Sequence, residues 1–203
     1  MKSTILALLF TVIGCTWGYT QENTKEPLSS ELQIKIAVLA APPEFRDGVK
    51  VYGYNENHEF VVLREGTNGY ICLAPNYKEA GLYAYCYPVS LEPFMARGRE
   101  LIAEGKRKER DKIREEEFKA GKLSIPQTPS ILYGYYGSYN QLDKETGEIA
   151  DAKRRYVIYM PYAKAADIGL SNKPNNLGMP WLMDEGSYKA HIMITPPHTH
   201  GKN

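Results

Sequence analysis

Apolar and polar residues alternate in several short stretches of the chain, and this period-two pattern predicts β-strands. The stretches with this pattern, or with a related β-rich run, are 49–54, 60–64, 70–74, 82–87, 130–142, 156–160 and 188–195. Turn-forming residues separate them, and Asn68-Gly69 suits the positive φ angles of a hairpin turn. Hairpin connections between neighbouring strands favour a mainly antiparallel sheet.

A helical pattern precedes the first predicted strand. Apolar residues recur at helical spacing between Ser30 and Pro42, and Ser30 with Gln33 has the spacing of a capping box. Alternation within residues 34–38 also fits a strand, so both interpretations stay open.

A second helical stretch begins at Ser90 or Pro93 and ends at Gly121. Between Arg97 and Glu117, 15 of the 21 residues are charged, eight of them basic and seven acidic. Interleaved charges of opposite sign at i, i+4 spacing stabilise a solvated helix. We therefore predict one long charged helix over 97–117 with a projecting far end, and the mixed signs argue against a nucleic-acid-binding arm.

Two helical stretches and six or seven strands with hairpin connections predict an α+β fold. We expect a single domain over residues 31–197, with a mainly antiparallel sheet, an N-terminal helix and the long charged helix. Residues 15–30 are expected to form a flexible tether, and residues 198–203 a mobile tail.

The N-terminus has the pattern of an export signal. Lys2 is followed by an apolar run from Ile5 to Ile13, which is too short to span a bilayer, so residues 1–14 are predicted to be a signal peptide. Val12-Ile13-Gly14-Cys15 resembles the lipobox of bacterial lipoproteins, and this resemblance implies an acylated Cys15 that anchors the protein to a membrane. The alternative is cleavage near residues 18–20, which would yield a secreted protein.

Charge excludes some classes of partner. The whole chain carries a formal charge of +1, and removal of residues 1–14 takes away one basic residue and leaves no net charge. A neutral chain has no long-range field that attracts nucleic acid, so no nucleic-acid partner is expected. The predicted location is the periplasm or the outer membrane.

Two cysteines remain after Cys15 is acylated or removed. In an oxidising compartment Cys72 and Cys86 are expected to form a disulfide. Closing the chain segment between these two cysteines contributes roughly 3 kcal/mol to stability. The alternative is a pair of buried free thiols. A metal site is disfavoured because no histidine lies near either cysteine in sequence.

Histidines are the residues that most directly suggest catalysis. His191 lies in an apolar run and would act as a base with Arg64 or Asp184 nearby, or else it is a strand residue with one hydrogen bond. His198 and His200 form a weak candidate metal pair, because a stable site needs a third ligand. No cofactor is predicted.

Tyrosines are the other candidates for a site. The chain has 16 of them, and a phenol ring has an apolar face and a polar edge that suit stacking on sugars or peptides. The ligand-binding candidates are Tyr83, Tyr85, Tyr87, Tyr133 and Tyr135, together with Arg64. The alternative is that these tyrosines simply favour a half-solvated sheet face.

Three stretches of the chain carry distinctive motifs. They are residues 63–75, with an R-x-G-T-N-G-aromatic-x-C motif, the region from Cys86 into the following helix, and residues 178–194, with P-W-x-M and A-H-x-M segments. Together they resemble a family of uncharacterised exported bacterial proteins. The chain departs from that family at Tyr70, where Trp is expected, and in its charged helix. The resemblance implies export, one domain and a constrained turn, but no reaction.

Two functions are consistent with these features. We expect an exported, lipid-anchored envelope protein that binds a glycan or another envelope protein without catalysis. The alternative is a secreted hydrolase that uses His191.

Overall fold

The computed structural model describes residues 25–197. The predicted signal peptide, Cys15, His198 and His200 lie outside the described residues. The strands are β1 Lys50–Tyr54, β2 Phe60–Arg64, β3 Tyr70–Leu73, β4 Leu82–Pro88, β5 Ser130–Gly137, β6 Lys153–Tyr159, β7 Trp181–Met183 and β8 His191–Ile194. The α-helices are α1 Ser30–Val38, α2 Glu92–Ala103, α3 Arg110–Lys119 and α4 Ala165–Ile168. Within residues 25–197, no helix has the length and apolar character needed to cross a membrane.

The eight strands form one sheet in the order β2-β1-β3-β4-β5-β6-β8-β7. The β1–β3 pair is parallel, and the other neighbouring strands pair antiparallel. The predicted α+β class with a mainly antiparallel sheet is therefore confirmed. β7 was missed, because its three residues follow a loop rich in Asn, Pro and Gly and are too few to show a period.

Helix α1 forms as the helical interpretation predicts, and the strand alternative is wrong. Its cap is Ser29, whose hydroxyl accepts a hydrogen bond from the Leu32 amide at 3.3 Å. Gln33 is buried and does not cap the helix. Its Nε2 donates to the carbonyl oxygens of Leu28 and Tyr54, and its Oε1 accepts from the Tyr54 amide. The amide therefore fastens α1 to β1.

Helices cover both faces of the sheet. On one face, α1 packs on a core that includes Ile36, Val51 and Ala84. On the other face, α2 and α3 cover a second core that includes Tyr87 and Phe94. The sheet is therefore the middle of three layers.

The charged stretch is helical, but it is divided into two helices. Gly105, with φ of +77°, follows α2, and its amide donates to the Ile102 carbonyl oxygen while the Lys106 amide donates to that of Leu101. Glycine reaches this left-handed conformation without steric cost and so ends a helix. The expectation of one continuous helix over 97–117 is corrected by this glycine.

The far end of the charged stretch does not project. Arg114 of α3 is buried, with its guanidinium 3.9 Å from the centre of the Phe94 ring and an N–H donated to the Phe94 carbonyl oxygen. Gly98 makes room for it, since a Cβ there would lie 3.0 Å from Arg114 Nη1. Arg97 and Glu117 form a two-pronged ion pair at 2.8–2.9 Å between the helices. These contacts hold α3 against α2.

Cys72 and Cys86 lie directly opposite each other on β3 and β4. Both are buried free thiols in the structure, and burial raises the pKa of the Cys72 thiol. Opposed residues of antiparallel strands have Cα atoms about 4.5–5.5 Å apart, which is within the range that a disulfide spans. The disulfide itself stays a prediction.

Candidate functional site: an aromatic groove beside helix α2

Helix α2 covers only part of its face of the sheet. Alternate residues of β4 share this face, and Tyr87 is buried beneath the helix. Tyr85 and Tyr83, two and four residues earlier, are 37% and 38% exposed. The face therefore has a covered half and an open half.

Paired residues cross the open half, as the strand register shows. One row is Val62, Tyr52, Leu73, Tyr85 and Gly134. Beside it, Phe60 pairs with Tyr54 at one end, and Tyr83, Tyr136 and Lys153 are paired at the other end, beyond the last residue of β3. Neighbouring strands are about 4.8 Å apart, so the distance from β2 to β5 is roughly 19 Å. We call this surface, from Phe60 to Tyr136, the aromatic groove.

The aromatic rings of the groove support one another. Phe60 stacks on Tyr52 with ring centres 5.5 Å apart and meets Tyr54 edge-on at 5.4 Å. Tyr83 stacks on Tyr136 at 5.9 Å. Rings held in this way are fixed in position, so the apolar surface that they leave exposed needs little rearrangement to receive a ligand.

Arg99 of α2 connects the groove to the covered half. Its Nη1 donates to the Tyr87 hydroxyl at 2.7 Å, its Nη2 contacts Glu92 Oε1 at 2.6 Å, and the Tyr87 hydroxyl donates to Glu92 Oε2. Burial raises the pKa of Tyr87, so its hydroxyl keeps the proton that it donates. The guanidinium lies 5.5 Å from the Phe60 ring centre and 5.9 Å from that of Tyr52. Arg99 is therefore fixed above the aromatic rings.

The part of the groove beside α2, between that helix and the rings of β1 and β2, has a volume of about 1190 Å³. Its charged lining residues are Lys78, Arg99 and Arg107, and Glu79, Glu92 and Glu100. Arg99 pairs with Glu92, and Arg107 lies 3.6 Å from Glu79. The balance of charge means that this part of the groove has no net field for an ionic ligand.

A depression of about 580 Å³ lies at the β5 end of the groove, next to Tyr83 and Tyr136. On its rim, the Ser138 hydroxyl donates to Asp151 Oδ2 at 2.6 Å, and the Ser138 amide donates to Oδ1 at 3.0 Å. These hydrogen bonds lower the pKa of Asp151. The carboxylate is therefore a fixed, ionised acceptor at this end.

Only two of the five predicted tyrosines lie in the groove, namely Tyr83 and Tyr85. Tyr87 is fully buried under α2, so its ring is closed to ligands. Tyr133 and Tyr135 belong to the opposite face, where Tyr135 is buried and its hydroxyl accepts from the Ile149 amide. Burial closes the rings of Tyr87 and Tyr135 to a ligand, so the contact predicted for these two is wrong. Tyr133 is only partly buried on the opposite face, and a ligand contact there stays a prediction.

Arg64 also has a structural role. Its Nη2 donates to the Arg46 carbonyl oxygen at 2.6 Å, and its Nε donates to that of Val49 at 3.2 Å. These bonds join the end of β2 to the segment before β1. Arg64 lies outside the groove, and a ligand contact by its remaining donors stays a prediction.

Sequence reasoning missed most of the groove. The missed residues are Tyr52, Tyr54, Phe60, Tyr136 and Arg99. Alternation within residues 50–54 does indicate that Tyr52 and Tyr54 share a face. Nothing local indicates Arg99, because its position depends on how α2 packs on the sheet.

His191 lies on β8, far from the groove. Its side chain is 13% exposed, and its Nδ1 is 2.8 Å from the Lys189 carbonyl oxygen. Asp184 Oδ2 is 3.9 Å away, so the predicted proximity to Asp184 is present. Arg64 lies on β2, six strands away across the sheet, and the predicted pairing with it is wrong.

The groups around His191 form a network of ion pairs. Lys189 Nζ lies 2.9 Å from Asp111 Oδ2 of α3 and 3.3 Å from Asp184 Oδ2. Burial raises the pKa of Asp111, but hydrogen bonds from Arg110 and Lys189 outweigh it and hold the pKa well below its usual range. The network ties α3 to the β7–β8 connection. Across residues 25–197, no three His, Cys, Asp or Glu side chains are grouped to hold a metal ion.

No protein-family model matches the chain, and no curated protein or solved structure matches it either.

Proposed function

We propose that the protein is a non-catalytic envelope protein that binds a neutral glycan in the aromatic groove. The observation that carries this proposal is the open row of stacked rings beside balanced, paired charges. A binding site of this kind combines an apolar surface with a few fixed polar groups.

The chemistry of the groove matches that of a pyranose. The C–H face of a sugar ring is apolar and packs on the flat faces of Tyr85 and Phe60. Arg99 and Glu79 at the groove wall offer donors and acceptors to hydroxyl groups. A neutral ligand leaves the Arg99–Glu92 pair intact, whereas an ionic ligand would have to compete with it.

The location of this function rests on the predicted signal peptide and lipobox. Acylated Cys15 would hold the protein at a membrane, with the groove exposed to glycans of the envelope. Oxidation there would join Cys72 to Cys86, which already lie opposite each other on β3 and β4.

Titration calorimetry with a panel of neutral oligosaccharides tests the binding proposal. Tyr85→Ala should weaken binding by roughly tenfold, since it removes an exposed aromatic ring that the sugar contacts. Tyr162→Ala is the matched control, because Tyr162 is 53% exposed and lies outside the groove. Absence of binding to every neutral oligosaccharide, or equal affinity of Tyr85→Ala and the parent protein, would contradict the proposal.

The second candidate is the hydrolase that uses His191, and the proximity of Asp184 favours it. Mass spectrometry of bound oligosaccharides after long incubation separates the two functions. The binding proposal expects intact sugars. Cleaved products that disappear with His191→Gln would instead support the hydrolase.

Intact mass of the protein from membrane fractions tests its location. We expect loss of residues 1–14, a lipid on Cys15, and Cys72 and Cys86 that resist alkylation until reduced. An uncleaved chain in the cytosol with both thiols open to alkylation after unfolding would contradict export and the disulfide.

A further inference from the structure

We infer that the ligand is a linear glycan of several sugar units, bound across the strands by two separate stacking platforms. This inference rests on the proposed function. It specifies which glycans the groove takes and how long a chain it holds.

Adjacent depressions connect one platform to the other. The part beside α2 and a smaller depression of about 130 Å³ share Phe60 and Arg99. That depression and the one at the β5 end share Tyr83. The three depressions therefore follow one another on this face from Phe60 to Tyr136, each bordering the next.

The platforms lie too far apart for one sugar. The first is Phe60 stacked on Tyr52, on β2 and β1, and the second is Tyr83 stacked on Tyr136, on β4 and β5. Counting strands, Phe60 and Tyr83 are roughly 14 Å apart. A monosaccharide contacts one platform at a time, whereas a chain contacts both.

Polar groups at the second platform are also balanced in charge. Asp151 and Lys153 line the depression there, one acidic and one basic. Ser138 and its hydrogen bond keep Asp151 in place as an acceptor. The β5 end thus suits hydroxyl groups of a neutral chain, as the part beside α2 does.

The direction of the groove favours a glycan over a peptide. An extended peptide gains affinity by adding a strand parallel to a sheet edge, where backbone groups are unpaired. The edge on this side is β2, whereas the groove runs across β2, β1, β3, β4 and β5. A chain lying in the groove crosses the strands and forms no such ladder.

A series of oligomers tests the inference. The probes are β-1,4-linked oligomers of glucose and of N-acetylglucosamine, from the monomer to the hexamer. Affinity should rise with length until the chain spans the roughly 19 Å of the groove. Phe60→Ala should weaken binding at every length, and Tyr136→Ala should weaken only the long oligomers, by roughly two- to tenfold.

Lys153→Ala is a second variant at the same end, because Lys153 is exposed and its loss leaves the core intact. It too should affect long oligomers alone. Affinity that does not depend on length, or equal losses for short and long oligomers in both variants, would overturn the inference while leaving glycan binding intact. Failure of every oligomer to bind would instead count against the proposed function. A further outcome is that an extended peptide displaces the oligomers from the protein. If that displacement is lost when residues of the edge strand β2 are substituted, the site binds a peptide and not a glycan.

Discussion

The covered and open halves of the α2 face contain the same kinds of residue and have opposite roles. Tyr87 is buried and bound to Glu92 and Arg99, whereas Tyr85, two residues earlier on the same face, is exposed. The chain leaves β4 through the turn Val89–Leu91 and returns as α2 over the end of that strand. The position of this one helix decides which aromatic residues form core and which remain available to a ligand.

Phe94 gives the largest expected difference between the halves. It is 1% exposed and packs in the covered half, so Phe94→Ala should lower the free energy of unfolding by about 3–5 kcal/mol. Phe60 lies in the open half and is 39% exposed, so Phe60→Ala should lower the free energy of unfolding by less than about 2 kcal/mol. Urea unfolding checks both. Equal losses would show that the open half is also core.

Alkaline pH should destabilise the covered half. Burial raises the pKa of Tyr188, on the α3 side of this face, to about 12 from an ordinary value near 10. The unfolded chain loses this proton first, so stability is complete below pH 10 and falls between pH 10 and about 12, by up to 1.4 kcal/mol per pH unit.

Tyr188→Phe is the matched variant, since it keeps the ring that stacks on Phe118 at 4.6 Å. Its unfolding free energy should fall less steeply over the same pH range. The Tyr188 hydroxyl is buried without a hydrogen-bond partner among the described residues, so removing it should not lower stability at pH 7. A parallel pH profile for the two proteins would contradict the assignment of the titration to Tyr188.

Removal of single tyrosine hydroxyl groups should also affect stability differently in the covered and open halves. Tyr87→Phe leaves Arg99 and Glu92 without the hydroxyl between them and should cost about 1–3 kcal/mol. Tyr85→Phe removes an oxygen from the open half and should change stability by less than about 0.5 kcal/mol. Thermal unfolding measures both, and a cost for Tyr85→Phe as large as that for Tyr87→Phe would be evidence against the division.

A small effect is also expected at the break between α2 and α3. Gly105→Ala places a side chain at φ of +77° with open space around it, so the cost is conformational and about 1 kcal/mol. Gly98→Ala, which places a Cβ 3.0 Å from Arg114 Nη1, tests helix packing instead. A neutral result for Gly105→Ala would mean that the break does not depend on glycine.

The sequence predicted the sheet well because strand alternation is local. Strands β1 and β2 could be read from neighbouring residues, and so could the helical pattern of α1, although alternation within residues 34–38 left a strand open there. The break at Gly105 also had a local signal, since glycine commonly ends helices. It was missed because the charge pattern continues on both sides of it.

The site was harder to predict because it depends on which residues of the sheet α2 covers, and not only on the alternation within each strand. Alternation correctly places Tyr83, Tyr85 and Tyr87 on one face, but it does not reveal that α2 buries only the last of them. For β5, a cluster of tyrosines in sequence is divided between the two faces, so Tyr136 lies in the groove while Tyr133 does not. Residues brought together from β2, α2 and β5 have no signature in one stretch of chain.

Chemical-shift mapping of the labelled mature protein with its tightest neutral oligosaccharide tests the central claim most directly. The backbone amides of Phe60, Tyr83, Tyr85 and Tyr136 should shift on titration, while those of Ile36 on the α1 face and His191 on β8 should not. Shifts centred on His191 and Asp184, or on α1, would contradict the assignment of the aromatic groove as the binding site.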